Sequence, residues 1–157
     1  MDDYEIIDKL TKRVIEYLKI DLGIDNIDED FFISDVDTLE YHNITTFISL
    51  SGDITGTVGL SVSHELATVM VEHFIFGDLP QELIEELTIQ TVEEILNITL
   101  GNIIKDLNIV KNGGKVEIST PYRIDKEHDL RKKIYNKIYS SKIKYNEESI
   151  ILSYFYK

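Results

Sequence analysis

The sequence predicts an α+β fold in which helices pack against an antiparallel sheet. Apolar residues recur at helical spacing in three segments, whereas other segments are rich in β-branched and aromatic residues and are bounded by short polar turns. Helices and strands follow one another in blocks, in the order helix, strands, helix, helix, strands, which is typical of α+β proteins. A chain of 157 residues is expected to form a single domain over residues 1–157.

The first helix is predicted over residues 3–20, with Gly23 as its stop. Its apolar positions at helical spacing are Ile6, Ile7, Leu10, Val14, Ile15 and Leu18. The stretch DEDFFISDVDTLEY, residues 28–41, predicts one strand that ends in an acidic turn. The next stretch, residues 44–63, predicts a hairpin whose two β-rich arms flank the turn Ser51-Gly52-Asp53.

Two further helices are expected in the middle of the chain. Ser63 is the predicted N-cap of the second helix, which presents an apolar face before Gly77. The residues of that face are Leu66, Val69, Met70, His73 and Phe74. A long third helix is predicted from about Gln81 to Leu107, because Pro80 suits a helix start. A Gly-Gly turn and a short strand follow, and two strand-like arms around the turn Asn146-Glu147-Glu148 end the sequence.

Composition excludes several classes of function. The net charge of −13 argues against a nucleic-acid surface, which needs a basic stripe, and against binding to an anionic membrane. There are no cysteines, hence no disulfide, thiolate metal site or cysteine nucleophile. The start of the chain lacks the pattern of a secretory signal, and no apolar run approaches the roughly 18 residues of a membrane span. We therefore expect a cytoplasmic protein without nucleic-acid or membrane partners.

Metal and nucleophile chemistry are not indicated by the motifs. The four histidines, His42, His64, His73 and His128, are scattered and form no His-Glu-x-x-His spacing. His73 is interpreted as a packed boundary residue, and His64 as part of a helix start. The serines of the predicted hairpin lack the elbow motif of a serine hydrolase. No metal of its own and no covalent catalyst are expected for this chain.

The long third helix carries the one unusual pattern. At about 100° per residue its apolar residues fall on one side, within an arc of roughly 140°. That side consists of Ile89, Val92, Ile95, Leu96, Leu100, Ile103 and Leu107. The opposite side carries Glu94 and, within about 60° of it around the helix axis, Gln90, Asn97 and Gly101. Asn97 and Gly101 are poor helix formers, so their presence calls for an explanation other than helix stability.

This side of the helix has the chemistry of a docking surface. The carboxylate of Glu94 can pair with a lysine of a partner, and the carboxamide of Asn97 can both donate and accept hydrogen bonds. An amide with both abilities can hold a water molecule in line for attack on a phosphoryl group. Gly101, one turn beyond Asn97, would let another surface come close. The simpler alternative is a solvated helix face, and Glu-x-x-Asn is a common tetrapeptide.

The sequence as a whole resembles the CheC/CheX/FliY family of chemotaxis phosphatases, and its CheX members most closely. The resemblance rests on FISLSGDITGTVGLSVSHELA, on EEILNITLGNIIKDL with its Glu-x-x-Asn-Ile-x-x-Gly spacing, and on VEISTPYRI. It implies that Glu94 and Asn97 form the functional pair of a phosphatase that acts on a phosphorylated CheY-like response regulator. Asn97 would orient the attacking water and Glu94 would anchor a lysine of the regulator. Gln90 and Gly101 would lie in the docking surface, and the regulator would supply the Mg²⁺.

The resemblance has two departures and leaves alternatives open. Gln90 stands where the family has Asp or Ser, and Leu96 stands where it has a small residue. No second Glu-x-x-Asn occurs in residues 3–20 or 63–76, which favours a single-site, CheX-like protein. A homodimer joined through the sheet is implied, with the strand-rich C-terminal region as its expected location. The alternatives are a regulator-binding module without catalysis, motivated by Gln90, and a structural role like that of flagellar switch components.

Overall fold

The computed structural model describes residues 4–75, 80–123, 135 and 137–156. This part of the chain contains a six-stranded sheet and four α-helices. The helices are α1 (Tyr4–Glu16), α2 (His64–Phe74), α3 (Gln81–Ile104) and α4 (Asn108–Lys111), and a π-helical turn (Tyr17–Asp21) continues α1. The strands are β1 (Ile27–Asp35), β2 (Ile44–Gly52), β3 (Gly56–Val62), β4 (Val116–Ile118), β5 (Lys137–Tyr145) and β6 (Glu148–Tyr156).

The sheet is antiparallel throughout, in the order β1-β5-β6-β3-β2-β4. Two hairpins, β2–β3 and β5–β6, form its centre, and the two β-rich arms predicted at each of these places are confirmed. β1 pairs with β5 through an irregular stretch between Ile27 and Phe31, where the Asp30 N–H donates to the side chain of Asp28. The predicted α+β class, with helices packed against an antiparallel sheet, is therefore confirmed.

Alternating side chains divide the sheet into two faces, since successive residues of a strand point to opposite sides. On β2, Ile44, Ile48 and Leu50 belong to the main core with the apolar residues of α1, α2 and α3. Phe47, between them, belongs to a second and smaller cluster on the opposite face. The rest of the second cluster comprises Leu39, Ile138, Ile151 and Phe155, with Val36, Tyr41, Tyr122 and Tyr135 at its margin. The helices thus cover one face of the sheet.

Burial of α1 follows the predicted apolar pattern. All six predicted core residues of the first helix are less than a tenth exposed: Ile6, Ile7, Leu10, Val14, Ile15 and Leu18. Gly23, the predicted stop, has a left-handed φ of 69°. The Ile24 N–H then reaches back to the Leu18 carbonyl at 2.9 Å, which closes the end of the π-helical turn.

Two predicted boundaries are wrong. The β2–β3 turn consists of Asp53–Thr55 rather than Ser51-Gly52-Asp53, because Gly52 still pairs with Val116 of β4. A side chain at Gly52 would come within 2.5 Å of the Lys115 carbonyl oxygen, and its φ is 100°, so this close approach requires glycine. The last turn is likewise shorter than predicted, because Glu148 already belongs to β6 and pairs with Tyr145.

The third helix also ends earlier than predicted, at Ile104 instead of Leu107. Its final turn tightens through bonds of the 3₁₀ type, from the Asp106 N–H to Ile103 and from the Leu107 N–H to Ile104. Leu107 then adopts an extended conformation and caps α4, while its side chain remains 1% exposed. The apolar periodicity continued to Leu107 because the side chain is buried there, although the backbone has left the helix.

The C-terminal strands do not offer a free edge for joining two sheets. β5 is hydrogen-bonded to β1 and β6, and β6 to β5 and β3. The homodimer joined through the sheet stays a prediction. The outer strands of the described sheet are β1 and β4.

Ser63 caps α2 as predicted and ties it to the sheet. Its hydroxyl oxygen accepts from the Leu66 N–H at 3.1 Å and donates to the Glu148 carboxylate at 2.8 Å. One side chain therefore satisfies a free N–H of the helix and the first residue of β6.

Replacing Ser63 by alanine removes both bonds, so we expect Ser63→Ala to lower the free energy of unfolding by about 1–2 kcal/mol. Urea denaturation measures the change. Ser51→Ala, at the exposed end of β2, is the matched control and should change the free energy little. Equal effects of the two substitutions would contradict the capping role.

Candidate functional site

The two sides of α3 differ as the sequence predicts. Val92, Ile95, Leu96, Leu100, Ile103 and the following Leu107 are buried in the main core, and Ile89 packs against it half-buried. α3 lies against α1, α2 and strands β2 and β3. Burial of this side stabilises the helix by tertiary packing, so that poor helix formers on the other side are tolerated.

On the opposite side, Gln90, Glu94 and Gly101 are exposed, and Asn97 is half-buried. Asn97 therefore lies on the predicted side of the helix but is less exposed than the other three residues. Within the residues that the structure describes, the side chains of Gln90, Glu94 and Asn97 form no hydrogen bond or ion pair. The neighbouring Glu93 points elsewhere and comes within 3.9 Å of Arg123. Glu94 and Asn97 are thus adjacent polar groups that the fold itself does not employ.

Gly101 is not required by the packing of this chain. A Cβ atom built at this position would meet no other group of the described residues within 4 Å, and the φ of Gly101 is not in the left-handed region. Elsewhere the chain does use close approach, since a Cβ at Gly59 would lie 2.6 Å from the Ser153 hydroxyl. The open space above Gly101 is therefore a property of the exposed surface beside Asn97.

α1 and the π-helical turn form one border of this surface. The Arg13 guanidinium donates through Nε to the Asn102 Oδ1 at 3.0 Å, next to Gly101. Tyr17 is 7% exposed, and burial raises the pKa of its hydroxyl. The carboxylates of Asp21 and Glu94 raise this pKa further, whereas Arg13 opposes them.

Arg13, Tyr17 and Asn102 were not predicted as neighbours of the site. A signal was present, because Arg13 and Tyr17 are four residues apart and share a face of the first helix. That spacing alone does not identify the element that the face contacts. Only the packing of α1 on α3 brings these residues beside Glu94 and Gly101.

The histidines within the described ranges behave as structural residues. The His73 ring nitrogen Nδ1 lies 2.9 Å from the Leu22 carbonyl oxygen, so the side chain links α2 to the end of the π-helical turn. The His42 ring nitrogen Nε2 lies 3.3 Å from the Ser149 hydroxyl oxygen. His128 is outside the described residues. Among the described residues, no group of three or more His, Asp or Glu is placed to hold a metal ion. The absence of a resident metal stays a prediction.

Comparison with known proteins assigns the family. The family model of the chemotaxis phosphatase CheX matches residues 44–140, more than half of the chain. This chain belongs to the CheX family. The match includes α3 and all four candidate residues. Among curated proteins, no sequence is similar enough to count as a match.

Solved structures of CheX proteins share the fold over nearly the whole chain. CheX from Desulfovibrio desulfuricans superimposes with a TM-score of 0.72 and 16% identity, covering 96% of this chain and 97% of that one. CheX from Vibrio vulnificus gives 0.73 and 15%, covering 96% and 98%. A third structure, the CheX–CheY–BeF₃–Mg²⁺ complex from Borrelia burgdorferi, gives 0.71 and 20%, with both chains covered fully at 100%. At these identities the similarity establishes the fold.

Within the described ranges, no helix is both long enough and apolar enough to span a membrane.

Because no atom of the described residues occupies the space above Gly101, we expect Gly101→Ala to raise the free energy of unfolding by about 0.5–1 kcal/mol. Urea denaturation is the measurement. Gly59→Ala is the comparison, and it should lower the free energy of unfolding because its new methyl group would collide with the Ser153 hydroxyl and the Phe47 ring. A destabilised Gly101→Ala protein would show that the chain itself needs this glycine.

Proposed function

We propose that this chain is a phosphatase of a CheY-like response regulator, and that the exposed side of α3 enters the regulator's active site and accelerates hydrolysis of its aspartyl phosphate. The observation that carries the proposal is the pair Glu94 and Asn97, which are unpaired in the described fold and lie beside open space at Gly101. Membership of the CheX family supports the reaction class. The Borrelia burgdorferi CheX structure, solved with CheY, supports the class of partner.

Asn97 is the proposed catalytic residue. Its carboxamide can accept a hydrogen bond from water and donate another to a phosphoryl oxygen, which would align the water with the phosphorus–oxygen bond to be broken. Water adds to phosphorus, and the bond between phosphorus and the aspartyl oxygen breaks with its electron pair remaining on the aspartate carboxylate. Inorganic phosphate leaves with the hydroxyl group of the water, whose second proton passes to the phosphate or to solvent. The half-buried position of Asn97 restricts its side-chain freedom, so part of the entropic cost of positioning is already met.

Glu94 is the proposed docking residue. It precedes Asn97 by three residues on the same side of the helix, so both side chains can reach one partner site. Since Glu94 is exposed and has no ion pair in the described fold, pairing with a lysine of the regulator breaks no existing contact. Gln90 and Gly101 extend the proposed docking surface by one turn on either side. The Mg²⁺ needed for the reaction is proposed to be bound by the regulator.

A second candidate function is a regulator-binding module without catalysis. Gln90 motivates it, because it is exposed and longer than the Asp or Ser expected at this position from the family resemblance. Both functions predict binding to a regulator loaded with BeF₃⁻ and Mg²⁺, which mimics the phosphorylated form. Binding measured by calorimetry, without faster phosphate release, would select the module.

A homodimer joined through the sheet is part of the proposal. Of the described strands, β1 and β4 are at the sheet edges, so one of them would form the joint. Asp28, Glu29 and Asp30 lie on β1 and would bring like charges together in a symmetric pair, which favours β4.

Asn97→Ala should reduce dephosphorylation of the regulator to its intrinsic rate, because the group that orients the water is lost while docking through Glu94 remains. Release of inorganic phosphate from the phosphorylated regulator with Mg²⁺ is the measurement. Asn43→Ala, which removes an exposed amide from a loop, is the matched control and should keep the wild-type rate. An active Asn97→Ala protein, or a wild type that does not accelerate release, would contradict the proposed function.

Glu94→Gln should weaken the response mainly by raising the regulator concentration needed for half-maximal rate, by several-fold to about tenfold, since a charge pair across the interface is lost. The difference from wild type should shrink as salt is added, because salt screens exposed charges. Glu85→Gln, an exposed glutamate near the start of α3, is the matched control. Equal effects of the two substitutions would show that only overall charge matters.

A further inference from the structure

One face of α1 is polar and runs alongside the C-terminal part of α3. This polar face consists of Glu5, Lys9 and Arg13, at four-residue spacing. Glu5 accepts a hydrogen bond from the Asn108 N–H at the start of α4, and the Lys9 ammonium group donates to the Asp106 carbonyl. These two contacts hold the chain where it leaves α3.

Arg13 continues this face and uses all three of its guanidinium nitrogens. Nε donates to the Asn102 Oδ1 of α3 at 3.0 Å, Nη1 pairs with Glu16 at 3.0 Å, and Nη2 pairs with Asp21 at 3.2 Å. The guanidinium carbon also lies 5.6 Å from the centre of the Tyr17 ring. Arg13 and its four partners, Asn102, Glu16, Asp21 and Tyr17, form the Arg13 junction. The planar guanidinium group can donate to several partners at once, whereas the single ammonium group of lysine does not have this geometry.

The π-helical turn places Asp21 within reach of Arg13. The Leu22 N–H bonds to the Tyr17 carbonyl at 2.9 Å, five residues back, so the turn is wider than an α-helical one. Arg13 can therefore contact Glu16, Tyr17 and Asp21 around the same junction. π-helical turns within α-helices are uncommon and occur frequently beside functional sites.

The Arg13 junction adjoins the proposed docking surface at Asn102, which follows Gly101 on α3 and is five residues beyond Asn97. The negative charge of Glu94 also contributes to raising the pKa of Tyr17. Partly exposed ion pairs of this kind contribute little to global stability, typically under about 1 kcal/mol each. Loss of these contacts should therefore change the global stability little.

We propose that Arg13 is a positioning residue, which holds α3 in one orientation against α1 and the π-helical turn and thereby presents Glu94 and Asn97 together to the regulator. Arg13 acts through Asn102 and does not touch the phosphoryl group. The inference rests on the proposed function, because it concerns how the same site is oriented.

The test is steady-state phosphate release over a range of regulator concentrations, with Arg13→Lys, Asn102→Ala and the double variant. We expect each single variant to lower kcat on the order of tenfold, since misplacement of a catalytic group lowers rate strongly, and to leave KM within about twofold. The double variant should be little worse than either single one, because both remove the same contact. Amide hydrogen exchange should increase in α3 around Asn97 in all three variants.

Lys12→Ala is the matched control. Lys12 pairs with Asp8 at 2.9 Å on the same helix, and both residues of this pair are at the surface. This variant should keep wild-type kcat and wild-type exchange in α3. The urea denaturation midpoint of each variant identifies losses that come from unfolding.

The possible failures are distinguishable. A wild type without phosphatase activity overturns the proposed function and this inference together. If the wild type is active and Asn97→Ala is not, unchanged kcat in Arg13→Lys and Asn102→Ala overturns only the role of Arg13. A loss confined to KM, additive effects in the double variant, unchanged exchange in α3 or a kcat loss explained by unfolding would overturn it as well.

Discussion

Burial of one side of α3 is the constraint on which the rest of the structure depends. Its Ile, Leu and Val side chains close the main core between α1, α2 and the sheet. Because this packing stabilises the helix from one side, the residues Gln90, Glu94, Asn97 and Gly101 on the other side are not needed for the core. Only under that condition can a helix keep Asn97 and Gly101 in its interior, where their intrinsic preferences work against it.

The difference between the buried and the exposed side of α3 also explains why the candidate site contains so few residues. Glu94, Asn97 and Gly101 need no nucleophile, metal ligand or cleft around them if the partner supplies the phosphoryl group and the cation. Their contribution is position, and position depends on the helix that bears them. The Arg13 junction is proposed to affect this position, because it joins α3 to α1 at Asn102, five residues beyond Asn97.

Under the proposed function, stability and docking make opposite demands at Gly101. Alanine would suit the helix better and has room in the folded chain. Retaining glycine therefore has a small cost in stability and leaves the surface open to a partner's backbone. Conflicts between local preference and global fold are expected where a protein contacts something else.

The sequence by itself determined the α+β class, the apolar side of α3 and the polar group opposite it, because hydrophobic periodicity reports directly which side of an element is buried. It did not determine where the helix ends, since Leu107 is buried both in a helical pattern and in the extended conformation that it adopts. Tertiary structure alone decided the order of the strands, in which β5 and β6 lie between β1 and β3. It also decided the contact between Arg13 and Asn102. Both depend on contacts between residues far apart in the chain, which no local pattern of side chains encodes.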